Sequence, residues 1–199
     1  MNSAPIERGT VNGSVGDTAT IAPEALRLNL GCGLRKIPGF VGVDIHKTEF
    51  TDVVHDLEKF PWPFGESSVH EVVLVHVLEH IQDIVGVMTE LYRVMEPEGR
   101  VGIEGPHWTS VGSWQDPDHK HALSEEFFHY FDADFRKDQK IHYIPEHVNF
   151  KLVNAAYDLH PDYKKRMEEK TISKEEIEFA MRHNVNVITN FGLVLKAVK

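Results

Sequence analysis

Leu28-Asn29-Leu30-Gly31-Cys32-Gly33 runs a short apolar stretch into a Gly-x-Gly turn. Glycines at such a point let the backbone approach a ligand with no side chain intervening, at the end of a strand where open α/β sheets bind cofactors. Asp44 closes the next apolar stretch, Val41-Gly42-Val43-Asp44-Ile45, where a carboxylate accepts hydrogen bonds from both hydroxyls of a ribose. A Gly-x-Gly turn alone is as often a plain tight turn, but two strand ends matched in this way point to a nucleoside-type ligand. A dinucleotide fingerprint requires a third glycine where this chain has Lys36, and no compact helix start follows to receive a pyrophosphate. The expected ligand is a cofactor without phosphates.

Histidine is the second chemical signal, because an unperturbed pKa of about 6.5 lets it take a proton near neutrality. Of the 13 histidines, His76, His80, His107, His119 and His121 fall at strand ends or in the loop expected above them. His80, His107 and His119 are the candidate bases, His80 having the alternative role of orienting its loop. Trp108, Asp116, His119 and His121 are the candidate acceptor-binding residues, with packing under a long loop as the alternative for Trp108 and Trp114. Asp116, Asp118, His119 and His121 also carry side chains that a divalent metal accepts. Such close spacing is more often a hydrogen-bonding turn, so no metal is assigned. Cys32, the single cysteine, has no nucleophilic role here.

The elements that must position these residues follow from hydrophobic periodicity. Leu26 to Leu30, Val41 to Ile45, Glu71 to Val75 and Val101 to Glu104 read as buried strands. Ile84, Val85, Val87, Met88, Leu91, Tyr92, Val94 and Met95 recur at helical spacing until Pro97 and Gly99, giving a strand-helix-strand unit. A helix is expected over about Ser124 to Phe131, with Ser124, Glu125 and Glu126 at its start. Strands over Val148 to Ala156 and Val185 to Lys199 flank a charged helical segment at 161–183. The predicted class is α/β, one domain over 25–199 preceded by a flexible arm at 1–24 rich in Gly, Ser, Thr, Asn and Pro.

Composition limits the partners. With 41% hydrophobic and 26% charged residues the 199-residue chain has an ordinary globular balance, and no apolar run approaches the roughly 20 residues of a membrane helix. A formal net charge of -10 disfavours nucleic acid as the main partner. The first residues lack the pattern of a secretory signal, and a lone cysteine fits a reducing cytoplasm. Oligomeric state is not legible.

LNLGCG, GFVGVDI, VVHDLEKFPWPFGESSVHEVVLVHVLEHI and LYRVMEPEGRVGIEGP, from about Leu26 to Phe131, together resemble the class I S-adenosylmethionine-dependent methyltransferases, in particular the small bacterial branch with the type 11 methyltransferase domain. The resemblance implies a doubly wound Rossmann-like sheet, mostly parallel with an antiparallel last strand, and S-adenosylmethionine as cofactor. It places Gly31, Cys32 and Gly33 against the amino-acid part of the cofactor, Asp44 at the ribose, Asp56 with Leu57 at the adenine and His76 beside the sulfonium. Leu30, Ile45 and Val77 complete the implied cofactor-binding set. Pro97-Glu98-Gly99 replaces the family's usual Pro-Gly-Gly, leaving Gly99 to supply a positive φ. Only Leu34 to Phe40 separate the glycine turn from the second strand, too few for a crossover helix, so the first helix is expected to be shortened or absent. The implied activity is methyl transfer to a small-molecule or sugar-type acceptor. A catalytically silent cofactor-binding module and a metal-dependent hydrolase built on the 116–121 cluster are the alternatives.

Overall fold

The computed structural model describes residues 25–199; the arm expected at 1–24 lies outside the described residues. The chain forms β1 (Leu26–Leu30), β2 (Val41–Asp44), β3 (Val53–Val54), β4 (Val69–Val75), α1 (Ile84–Val94), β5 (Met95–Pro106), α2 (Gly112–Gln115), α3 (Ala133–Gln139), β6 (Phe150–Leu159), α4 (Pro161–Glu168), α5 (Lys174–His183) and β7 (Ile188–Ala197). All seven strands join one sheet in the order β3-β2-β1-β4-β5-β7-β6. The pairs from β3 to β5 are parallel, and β7 runs antiparallel to both β5 and β6. The order reverses between β1 and β4, so the carboxyl ends of those strands open onto a crevice suited to a ligand.

Apolar residues at helical spacing turn one face of α1 onto the sheet, burying Ile84, Val87, Met88, Leu91 and Val94 against Leu28, Leu30, Val72, Leu74 and Val101. Asp83 caps the helix by accepting from the Gly86 amide at 2.8 Å. The helix stops at Val94, and Met95, expected at its end, is extended and opens β5. In the turn that follows, Glu98 takes the positive φ of 67° that Gly99 was expected to supply.

No helix forms between β1 and β2: Arg35 and Phe40 close two tight turns onto the carbonyls of Cys32 and Ile37. The loop after β2 occupies part of the vacated space. Its Phe50 carbonyl lies so close over Gly42 that a Cβ there would overlap it, which explains a glycine inside a buried strand.

Residues 125–131 form a 3-10 helix rather than an α-helix, and the Ser124 side chain makes no cap. The last two strands are shifted from their expected limits to Phe150–Leu159 and Ile188–Ala197. The charged segment between them divides into α4 and α5, the latter started by a capping box between Ser173 and Glu176. A small cluster of Ile177, Ala180 and Val187 anchors it, with Leu159, Tyr163 and Met181 packed around.

Asp132 caps α3 through the amides of Asp134 and Phe135 and meets the Lys151 ammonium at 2.6 Å. Burial alone pushes this carboxyl up; Lys151 and the two amides outweigh it and hold it below the usual carboxylate range. A folded-state value below the unfolded one of about 3.9 contributes stability above that pH and loses it as pH falls through the folded value. Asp132→Asn is expected to cost about 1–2 kcal/mol at pH 7 and progressively less as the pH falls below the ordinary carboxylate range, read as melting curves of both proteins that draw together on acidification.

Candidate functional site

The crevice holds a pocket of about 350 Å³ lined by Gly31, Asp44, Ile45, Asp56, Leu57, His76, Val77 and Ile81, with His55, Glu58, His80 and Asp118 at its polar edge. Each side chain arrives from a strand end or the turn beyond it. Gly31 follows β1 at a φ of 64°, and a Cβ there would overlap the Val77 side chain, so only glycine keeps this wall open. Asp44 ends β2 with Oδ2 accepting the Gly33 amide and Oδ1 the His46 amide, both at 2.8 Å. Its carboxylate is thereby fixed in orientation with further lone pairs to offer. Asp56 Oδ1 accepts the Glu58 amide at 2.9 Å, and Glu58 Oε1 accepts the amides of Gln82 and Asp83, tying this loop to the start of α1.

Of the residues expected to bind the cofactor, Gly31, Asp44, Ile45, Asp56, Leu57, His76 and Val77 meet in this pocket. Leu30 and Cys32 do not line it: both are buried in the core beneath, with Cys32 Sγ near the Phe50 carbonyl and the Thr51 hydroxyl. Gly33 reaches it only through its hydrogen bond to Asp44.

His76, at the end of β4, has a φ of 57°, a left-handed conformation rare for a residue with a side chain. Its amide donates to the Glu104 carbonyl of β5, and its Nδ1 donates to Glu79 Oε1 at 3.1 Å. That hydrogen bond raises the imidazole above the ordinary histidine value. Glu79, which the sequence did not single out, is 1% exposed in a 3-10 turn at Leu78–His80. Its backbone carbonyl accepts the amides of Lys120 and His121, docking the 116–121 loop on the end of β4.

Within that loop Asp118 Oδ2 accepts from His80 Nδ1 at 3.0 Å and Oδ1 from Lys120 Nζ, and these two partners hold its carboxyl below the usual range. His119 is turned inward, with Nδ1 donating to the Ser113 carbonyl at 3.1 Å and its ring 4.8 Å from that of His80. His121 lies outside this group, its Nε2 3.4 Å from the Gln82 carbonyl.

His107 and Trp108 are separated from these residues. They line a second pocket of about 610 Å³ with Glu125, Tyr157 and Ile188, walled by Glu178, Met181, Arg182 and His183 of α5. Burial pushes the His107 imidazole below its ordinary value, against the opposing effect of Glu125 3.7 Å away. Tyr157 donates to Glu125 Oε1, while Glu125 Oε2 is buried without a hydrogen-bond partner among the described residues. Burial and then this glutamate push the Tyr157 phenol up. Glu125 reads in the sequence only as part of a helix start and Tyr157 as the residue just past an expected strand, since the two come together only when β6 pairs with β7 beside the 3-10 helix.

A protein-family model described as a methyltransferase domain matches residues 28–103. Among solved structures, a SAM-dependent methyltransferase from Archaeoglobus fulgidus is 18% identical, with 86% of each chain covered and a TM-score of 0.61. A Haloferax volcanii methyltransferase, solved in complex with the Trm112 methyltransferase activator, is 13% identical over 90% of this chain and 84% of that one, at a TM-score of 0.55. Geranyl diphosphate C-methyltransferase from Streptomyces coelicolor A3(2), in complex with Mg2+, geranyl diphosphate and S-adenosyl-L-homocysteine, is 13% identical over 88% of this chain and 73% of that one, at 0.54. At these identities the likeness is one of fold. A search of curated proteins finds no match.

Proposed function

We propose that this chain, a class I S-adenosylmethionine-dependent methyltransferase of the type 11 branch by its domain at residues 28–103, transfers the methyl group to a small-molecule or sugar-type acceptor. The observation that supports the cofactor site is the pocket between β1, β2 and β4, where Gly31 leaves a wall bare and Asp44 is held by two amides. In this reading Asp44 accepts from the ribose hydroxyls, Asp56 and Leu57 meet the adenine, and His76 and Val77 border the sulfonium. Gly31, Cys32 and Gly33 then offer backbone to the amino-acid part, Leu30 and Cys32 shaping that turn from below rather than touching the ligand.

S-adenosylmethionine supplies a methyl carbon already activated by the sulfonium charge. The protein's part is to place the acceptor in line and, for a hydroxyl or amine, to take its proton. The acceptor is placed between the ends of β4 and β5 and the 116–121 loop, where Asp116, His119 and His121 present polar groups suited to hydroxyls. Of the candidate bases His80, His107 and His119, His107 is the one whose imidazole burial pushes below its ordinary value, which favours the form that accepts a proton. Its separation from the loop assigns it, with Trp108, to the far part of an extended acceptor in the larger pocket. Among the described residues no helix is long and apolar enough to cross a membrane, and a cytoplasmic site of action belongs to this proposal.

Calorimetric titration with S-adenosylmethionine and S-adenosylhomocysteine is the test. Saturable one-to-one binding of both is expected, followed by methyl transfer on screening hydroxylated acceptors. Intact, folded protein that binds neither would overturn the reading, and tight binding without turnover across a broad acceptor panel would favour a silent binding module.

A further inference from the structure

Glu79 poses a question that methyl transfer does not answer. This carboxylate is 1% exposed, and its Oε1 accepts from the His76 imidazole. Oε2 faces Gly105 at the end of β5 and takes no hydrogen bond among the described residues. Beside it stand two imidazoles. One ligand atom from each of Glu79, His80 and His119 lies within 4.8 Å of the other two.

The outer contacts of both rings are those of metal ligands. His80 Nδ1 donates to the Asp118 carboxylate and His119 Nδ1 to the Ser113 carbonyl, oxygens that only accept. Each Nδ1 therefore carries the hydrogen, and each Nε2 of the neutral ring keeps a lone pair outside any hydrogen bond among the described residues, that of His119 standing 3.9 Å from Asp116 Oδ2. A carboxylate or carbonyl behind one ring nitrogen, with the other nitrogen open, is the arrangement that fixes tautomer and direction in histidine-ligated metal sites. The loop bearing His119 is fastened to the same centre, since the Glu79 carbonyl accepts the Lys120 and His121 amides. His80 is half-buried and the His119 side chain 11% exposed, so a ligand here is shielded without being sealed in.

We propose that Glu79, His80 and His119 form a binding site for one divalent transition-metal ion of the zinc type. Two imidazoles and one carboxylate are the donor set of open, three-ligand zinc sites, which leave a position for water or substrate. Tetrahedral ligation at about 2.1 Å sets ligand atoms about 3.4 Å apart, so any two of the three groups close by up to about 1.4 Å on binding, within the reach of side-chain rotation. The Glu79 carboxylate, already paired through Oε1 with His76, gains a second partner at Oε2. Where the methyltransferase reading holds, the open position holds an acceptor oxygen at the ends of β4 and β5 and lowers its pKa. The site differs from the run Asp116, Asp118, His119 and His121 suggested by spacing: the two aspartates stand behind or beside the ligands, and His121 lies outside.

The test is Zn2+ binding by equilibrium dialysis of the full chain, freed of metal and without S-adenosylmethionine, so that cofactor binding and metal binding stand or fall separately. One equivalent is expected, with Glu79→Gln and His119→Ala each weakening affinity at least about 100-fold and His121→Ala leaving it unchanged. Co2+ in the unaltered protein is expected to give the intense visible bands of a four-coordinate site, a readout independent of how the variants fold. Absence of saturable Zn2+ binding, equal affinity in His80→Ala/His119→Ala, or a preference for Mg2+ over Zn2+ would each overturn the assignment, the last because imidazole ligands disfavour the harder ion.

Discussion

Asp44→Ala is expected to weaken binding of both S-adenosylmethionine and S-adenosylhomocysteine by at least about 100-fold while the protein stays folded. A charge-assisted hydrogen bond contributes about 1.5–3 kcal/mol, and two from one carboxylate to a ribose together correspond to about 10² to 10⁴ in affinity. The two ligands are affected alike, because Asp44 is assigned to the nucleoside they share. The structural cost is smaller. The amides of Gly33 and His46 lose their acceptor, but both lie where water can replace it, so a loss of about 1 kcal/mol is expected. Asp44→Asn separates the effects, since an amide oxygen still accepts one hydrogen bond and affinity should fall between the two. Calorimetry beside a thermal melt makes the check: affinity within threefold of the parent in folded Asp44→Ala would remove Asp44 from the ribose and leave the pocket without its anchor.

The parts legible in the sequence were those whose side chains repeat a local rule. β1, β2 and β4 are short apolar-rich runs whose Leu28, Leu30, Val43, Val72 and Leu74 enter the core on one face of the sheet, and α1 declares itself by a 3.6-residue stripe. The missing first helix was legible by length alone. What the sequence concealed depends on contacts between distant segments. Asp116, His119, His107 and Trp108 look like one acceptor cluster along the chain, but β5 carries His107 and Trp108 towards α5 while the Glu79 carbonyl draws the loop to β4. Glu79 in Val77-Leu78-Glu79-His80-Ile81 has the pattern of an exposed polar residue, and only the fold shows a carboxylate enclosed beside three imidazole-bearing positions. The positive φ at Glu98 and His76 was equally invisible, because tertiary pairing of β4 and β5 imposes on these residues a conformation that local preference assigns to glycine.

Arg136→Met is expected to give a large loss of stability away from the site, about 3–5 kcal/mol, because several carbonyls lose a charged donor at once. The Arg136 side chain lies almost wholly inside, 4% exposed, and among the described residues no carboxylate stands within ion-pair distance of it. Burial accordingly lowers its pKa, with Asp132 opposing from farther off. What holds the guanidinium is a set of carbonyl acceptors: Tyr130 at 3.2 Å, Pro145 at 3.5 Å, Glu146 at 3.3 Å and Val148 at 2.5 Å. Methionine fills a similar volume but donates nothing; Pro145 keeps the Val148 amide, while the Tyr130, Glu146 and Val148 carbonyls lose the guanidinium at about 1–3 kcal/mol for each that water cannot reach. The consequence reaches function through geometry. One arm of Arg136 closes the end of the 3-10 helix that carries Glu125, and the other holds the segment leading into β6, which carries Tyr157. Loosening both should separate Glu125 from Tyr157 and open the larger pocket that His107 lines. A melting temperature lower by about 6–20 °C is therefore expected, with S-adenosylmethionine affinity nearly intact at low temperature, because β1, β2 and β4 make no contact through Arg136. An unchanged melting temperature would mean that water already serves those carbonyls, and that the 3-10 helix is held by its phenylalanines alone.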